Sequence, residues 1–194
     1  MQLDDIDWKI IKKLRSDGRK TFKELGETIG FTSLGAKKRV DKLRKKGIID
    51  ITALVNTNAL QMRLALILLE IDSAENMQEI INRYRKCPRI INFFVTMGGY
   101  NLIAWVMAED QNTLESECTE KCALRSGEGI RRSEVYVIGK VHNYPFFALN
   151  VDALEVKGDT APCGVQCKNC HSFLDHKCVG CPTLSYYRGP INCE

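Results

Sequence analysis

The 194-residue chain has no apolar run long enough to cross a membrane; the longest, Leu64 to Leu69, covers about a third of a span. Asp4, Asp5 and Asp7 crowd its first residues and no apolar stretch follows them, so an export signal is not expected there. A cytoplasmic setting follows, with no membrane partner. Thiols are kept reduced in that compartment, and an odd count of nine cysteines fits disulfide pairing poorly. The sequence also lacks paired carboxylates, a nucleophile triad and a glycine-rich phosphate loop, so no enzymatic activity is expected. What remains is an ordinary globular composition, 44% hydrophobic and 27% charged, which leaves function to be read from where particular residues cluster.

Charge is distributed unevenly. Residues 1–50 hold fourteen Lys/Arg against eight Asp/Glu, a surplus of +6 in a chain whose net charge is only +4. A basic end on a nearly neutral body points to a polyanion partner at that end. Within it, Ile6, Ile10, Ile11 and Leu14 have helical spacing, with Asp4 or Asp5 near the start. Thr21 with Glu24 three residues on forms a capping box for a second helix, striped by Phe22, Leu25 and Ile29 and stopped by Gly30. Thr32 or Ser33 caps a third, striped by Ala36, Val40 and Leu43 and ended by Gly47. Two helices joined by so short a turn predict a helix-turn-helix, with Ile48 to Ile51 as a following strand or wing. The third helix sets Lys38, Lys42 and Lys45 opposite its apolar stripe, a division suited to the DNA major groove.

These same residues carry a resemblance. The opening Leu3-Asp4-Asp5-Ile6-Asp7, then Leu14 with Asp17-Gly18-Arg19, then Glu24-Leu25 to Gly30, run in order without a gap. Arg39-Val40, Leu43, Gly47-Ile48-Ile49 and Ala53-Leu54-Val55-Asn56 complete the series. Residues 3–56 thus resemble the winged helix-turn-helix of the Lrp/AsnC, or feast/famine, regulators of prokaryotes. The resemblance implies double-stranded DNA as partner, with Ser33, Lys37, Lys38, Arg39 and Lys42 as contacting residues.

Residues 63–142 follow a β-α-β-β-α-β order, which predicts a ferredoxin-like sandwich. Strands are expected at Leu64 to Ile71, Ile90 to Thr96, Leu102 to Met107 and Glu134 to Val141, with helices after Ser73 and over 111–125. Gly98-Gly99 marks a hairpin between the second and third strands. In the Lrp/AsnC family this position holds the RAM domain. The resemblance therefore implies a homodimer or larger assembly, and a small effector, often an amino acid, at Gly98, Gly99, Tyr100 and Asn101. Asn101 stands where the family carries an acidic residue. Cys118 and Cys122, four apart on a helix, read as core residues, and Cys87 as an ordinary thiol.

The tail holds six cysteines in 32 residues, as C-x3-C-x2-C-x7-C-x2-C plus Cys193. Two C-x2-C pairs a short loop apart are a soft-metal framework. The segment has too few apolar residues for a core of its own, so metal binding is expected to supply its folding energy. Cys167, Cys170, Cys178 and Cys181 suit a four-thiolate site, and Cys163 is placed to replace one ligand or cap a cluster. Zinc is the first expectation, with copper(I) or an iron–sulfur cluster as alternatives. In outline the tail is similar to small cysteine modules appended to prokaryotic proteins.

The expected class is α+β. A winged helix-turn-helix covers 1–56, a ferredoxin-like RAM-type sandwich 57–142, a linker 143–161 and a cysteine-rich metal-binding module 162–194. Function is expected to be transcriptional regulation with a metal- or redox-sensing cluster. The alternatives are a small-molecule-responsive regulator with a structural zinc, and an iron–sulfur enzyme.

Overall fold

The computed structural model describes residues 2–120, 122, 124–155 and 157–191. Cys193 lies outside the described residues. The chain divides into two compact units, Met1–Ala53 and Leu54–Glu194.

The first unit is three helices around one small core. Helix α1, Asp5–Ser16, starts at Asp4, whose Oδ1 accepts from the Asp7 N–H at 2.8 Å. Helix α2, Phe22–Ile29, starts at the Thr21 capping box, in which the Thr21 N–H donates to Glu24 Oε2 at 2.7 Å. It stops at Gly30, whose φ of +73° is open to glycine at little cost. Helix α3, Ser33–Lys45, is capped by Thr32. Ile10, Leu25, Ala36, Val40 and Leu43 form the buried centre, and each large apolar side chain withdrawn from water contributes roughly 1.5–3 kcal/mol. The turn between α2 and α3 is tight at Gly26, where a Cβ would meet the Phe31 carbonyl oxygen at 2.6 Å.

One expectation fails in this unit. Ile48 to Ile51 forms no strand. Ile49 instead packs back on the helical core, so the apolar residues that looked like a strand serve the bundle. The next pairing residues, Val55–Asn56 (β1), belong to the second unit, where they pair antiparallel with Phe146–Phe147 (β6). The boundary thus falls before Leu54 rather than after Asn56.

The second unit is built on a four-stranded antiparallel sheet: β2 (Arg63–Ile71), β3 (Ile90–Val95), β4 (Leu102–Ala108) and β5 (Ile130–Ile138), in the order β3-β4-β2-β5. Helices α4 (Ala74–Tyr84, capped by Ser73) and α5 (Gln111–Thr119, capped by Asp110) complete the expected ferredoxin-like arrangement. Ala65, Ile67 and Leu69 of β2 and Leu102, Ala104 and Val106 of β4 are buried with Ile80 and Leu114 of the helices. Residues alternate across a strand, so Leu66, Leu68, Ile103 and Trp105 lie on the other face.

Two boundaries move. Helix α5 ends at Thr119 instead of continuing to 125, and a short 3-10 turn spans Leu124–Ser126. The last strand begins at Ile130, four residues before the expected Glu134, and ends at Ile138. It lies at the sheet edge, and its early pairs put Arg132 opposite Glu70 and Ile130 opposite Ile71 across a register shift. An apolar pattern does not reveal such a polar edge segment.

The stretch expected as a linker is ordered in part. Besides β6, Asp152–Leu154 forms a 3-10 turn with Leu154 buried, and the Phe147 ring meets Trp105 edge-on at 4.5 Å between centroids. The cysteine segment that follows contributes a 3-10 turn at Cys167–Asn169 and a single helical turn, α6, His171–Leu174. Ala161, Cys167, Phe173 and Leu184 form its small buried cluster.

Candidate functional site

Helix α3 buries Ala36, Val40 and Leu43 and leaves Ser33, Lys37, Lys38, Lys42 and Lys45 exposed. Four of the five predicted DNA-contacting residues are therefore free to meet a phosphate or a base edge. Arg39 differs. Its guanidinium is engaged with Asp4 at 2.5 Å and Asp7 at 2.8 Å, and the Asp7 side chain is only 8% exposed. The Asp7 backbone N–H first, and then Arg39, hold the Asp4 carboxyl below its usual range. Arg39 thus ties α3 to the start of α1. Sequence reasoning passed over Leu34, which is 61% exposed. Its signal was its spacing: Lys37 and Lys38 lie three and four residues on, so Leu34 shares their face.

The predicted effector residues make the turn between β3 and β4. The Asn101 side chain is already occupied by backbone: its Oδ1 accepts from the Ile71 N–H at 2.9 Å and its Nδ2 donates to the Ile71 carbonyl at 2.7 Å. It pins the hairpin to the end of β2. The Tyr100 ring lies under the Arg132 guanidinium, 4.4 Å from its centroid, and Gly99 faces the same arginine.

The cysteines of the tail converge. Cys163, Cys167, Cys170, Cys178 and Cys181 all line one cavity of about 60 Å³ at the junction of the tail and the sandwich. Cys87, between α4 and β3, and Cys122, after α5, line it too. The sequence reading assigned neither to the site, because nothing in their spacing links them to the tail. Burial pushes the Cys167 thiol up to about 11 and raises Cys163, Cys178, Cys87 and Cys122 as well. Backbone N–H groups oppose this by donating to sulfur: Gly180 to Cys178 at 3.4 Å, Cys181 to Cys167, and Val165 to Cys163. Gly180 sits at φ +84°, with its α-carbon against the Phe173 ring, so a side chain there would be strained and would clash. Among the described residues no three His, Cys, Asp or Glu side chains are grouped so that they could hold one metal ion. The thiols ring the cavity instead of meeting at a point.

A buried ion network fastens the tail to the sandwich beside these thiols. Arg89 Nη2 donates to the Gly180 carbonyl at 2.5 Å, between Cys178 and Cys181. The same guanidinium bonds Glu109 and Glu117, each at 2.8 Å. Tyr187 donates to the other Glu109 oxygen at 2.5 Å. One cation faces two carboxylates, and burial pushes Glu117 up to about 7 against the pull of Arg89. Smaller ties flank it: Arg83 donates to the Cys163 carbonyl at 3.1 Å, and Ser172 to Glu120 at 2.6 Å.

Residues 3–44 match the model of the AsnC-type helix-turn-helix domain. The chain is 30% identical over 142 residues to the HTH-type transcriptional regulator FL11 of Pyrococcus furiosus, covering 72% of this chain and 91% of that protein. The chain belongs to the AsnC/Lrp family. Solved structures of the same fold include AsnC of E. coli, with a TM-score of 0.64 at 17% identity over 74% of this chain and 97% of that one. Another is the regulator NMB0573 of Neisseria meningitidis in its L-Met complex, with a TM-score of 0.65 at 22% identity over 74% of this chain and 94% of that one.

As an AsnC/Lrp member the protein is a DNA-binding transcriptional regulator, and Lys37, Lys38 and Lys42 of α3 lie within the matched domain. No helix among the described residues is long and apolar enough to cross a membrane.

Proposed function

We propose that this AsnC/Lrp regulator reads DNA through Ser33, Lys37, Lys38 and Lys42, with Arg39 as the brace of the reader helix, and that its thiol cavity makes DNA binding responsive to a soft metal or to redox state. The observation that carries the second half is the Arg89 bridge. It joins the Gly180 carbonyl of the last C-x2-C turn to two buried carboxylates of the sandwich. A change in the thiols is thereby felt by the loop that leads into β3.

Self-association completes the reading. The sheet face turned away from α4 and α5 carries Leu66 beside Trp105 and Tyr136, and Leu68 beside Ile103, which in turn pairs with Phe94. Tyr136 is 54% exposed and Phe94 41%. A second copy of this chain laid on that face would cover them, as an apolar row on an antiparallel sheet requires. Two reader units would then meet a site with two-fold symmetry. Since Asn101 spends its amide on Ile71, the β3–β4 turn supports the hairpin in this reading.

Two measurements test it. Lys38→Ala with Lys42→Ala should weaken DNA binding and lower the salt slope by about 1.8, at about 0.9 per phosphate contact; an unchanged slope removes α3 as reader. DNA affinity of the metal-loaded and metal-stripped chain, with Cys178→Ser/Cys181→Ser beside it, tests the response. A change below about twofold, or ~0.4 kcal/mol, defeats it.

A further inference from the structure

The cavity is a composite of tail and sandwich, and its size and walls speak to its occupant. A single tetrahedral zinc draws its sulfurs to about 3.8 Å from one another and leaves no void between them. Here the five tail thiols ring about 60 Å³ of space, joined by Cys87 and Cys122 from the sandwich. Most of the remaining wall is apolar, with Ile67, Val106, Leu124 and Phe173, and its two charged side chains, Arg89 and Glu117, are paired with each other at 2.8 Å.

We propose that this cavity takes an iron–sulfur cluster, with the five tail thiols as its ligand pool and Cys87 and Cys122 closing it from the sandwich. The inference rests on the reading of the cavity as a soft-metal site and names its occupant. Inorganic sulfides bridge the irons of such a cluster, so its thiolates are divided among two or more irons and stand further apart as a set than four thiolates on one zinc. The backbone N–H groups aimed at Cys178, Cys167 and Cys163 are the outer-shell donors that stabilise cluster thiolates. Arg89, on the same wall, is shared between Glu109 and Glu117 and so braces the cavity more than it adds free positive charge. The cluster would clamp tail to sandwich, and Cys87 stands two residues from Arg89 at the entry to β3.

Anaerobic incubation of the full chain with ferrous iron, sulfide and dithiothreitol tests the assignment. The expected result is iron and acid-labile sulfide in equal amounts with a broad visible charge-transfer band. Cys178→Ser/Cys181→Ser should keep about a tenth or less of that iron. Cys87→Ala and Cys122→Ala, compared by far-ultraviolet circular dichroism with the parent, should each lower iron affinity about tenfold and shift the EPR signal of the reduced cluster. Stoichiometric zinc without sulfide in the unaltered chain overturns the cluster, whatever the variants do. Unchanged affinity and EPR in both single variants overturns the part played by the sandwich thiols. DNA affinity on the same loaded and stripped samples separates either failure from failure of the regulatory response.

Discussion

Helix α3 and the thiol cavity place their polar groups in opposite ways. Helix α3 holds Lys37, Lys38 and Lys42 out in water, along one face of one continuous segment. The cavity draws thiols inward from the loop before β3, the turn after α5 and the tail. A helix with a buried stripe suffices to present such lysines to water. Buried thiols resist ionisation, and those of the cavity depend on backbone donors and on Arg89 to offset it. A helix face can therefore be altered residue by residue, whereas the cavity should answer as a unit.

The sharpest way to break this contrast is Arg89→Met. It strands two buried carboxylates and the Gly180 carbonyl, and losing one partner of a buried ion network costs about 3–5 kcal/mol. Hydrogen exchange of the full chain should show protection lost across 54–191 and retained in 1–53; loss in both units would mean that they do not hold independently. A smaller effect is expected within the first unit. Gly26→Ala forces a Cβ against the Phe31 carbonyl oxygen, and overpacking of this kind costs about 1–3 kcal/mol. Urea unfolding of the first unit should show it, with the thiol cavity unaffected.

A third effect is in pH. Glu117 is raised from an ordinary 4.5 to about 7, so the folded chain binds its proton more tightly than the unfolded one. Its contribution to stability is full below about 4.5 and is lost as pH rises through about 7. Urea midpoints measured across that window should fall more steeply in the wild type than in Glu117→Gln. Parallel curves would show that Glu117 is not proton-bearing in the fold.

The three helices of the first unit and the β-α-β-β-α-β order of the second were readable because both rest on local signals. Caps at Thr21, Thr32 and Ser73, stops at Gly30 and Gly47, and apolar spacing are short-range physics. Where the reading went astray, a distant contact had changed what a local pattern means. Ile49 joined the helical core instead of a wing, and β5 reached back to Ile130 through pairing with β2. Arg39 is engaged by Asp4 and Asp7, 35 and 32 residues away in the chain.

By itself the sequence determined that α3 would form with a basic face opposite its apolar stripe and that the tail would be rich in thiols, since both follow from residue type and spacing. Only the tertiary structure decided that Cys87 and Cys122 share the tail's cavity and that Arg89 ties the two together. Cys87, Cys122 and the tail cysteines lie more than 30 residues apart in the chain, and no periodicity spans such distances. Their meeting is fixed by how a sheet, two helices and a cysteine-rich tail exclude water together.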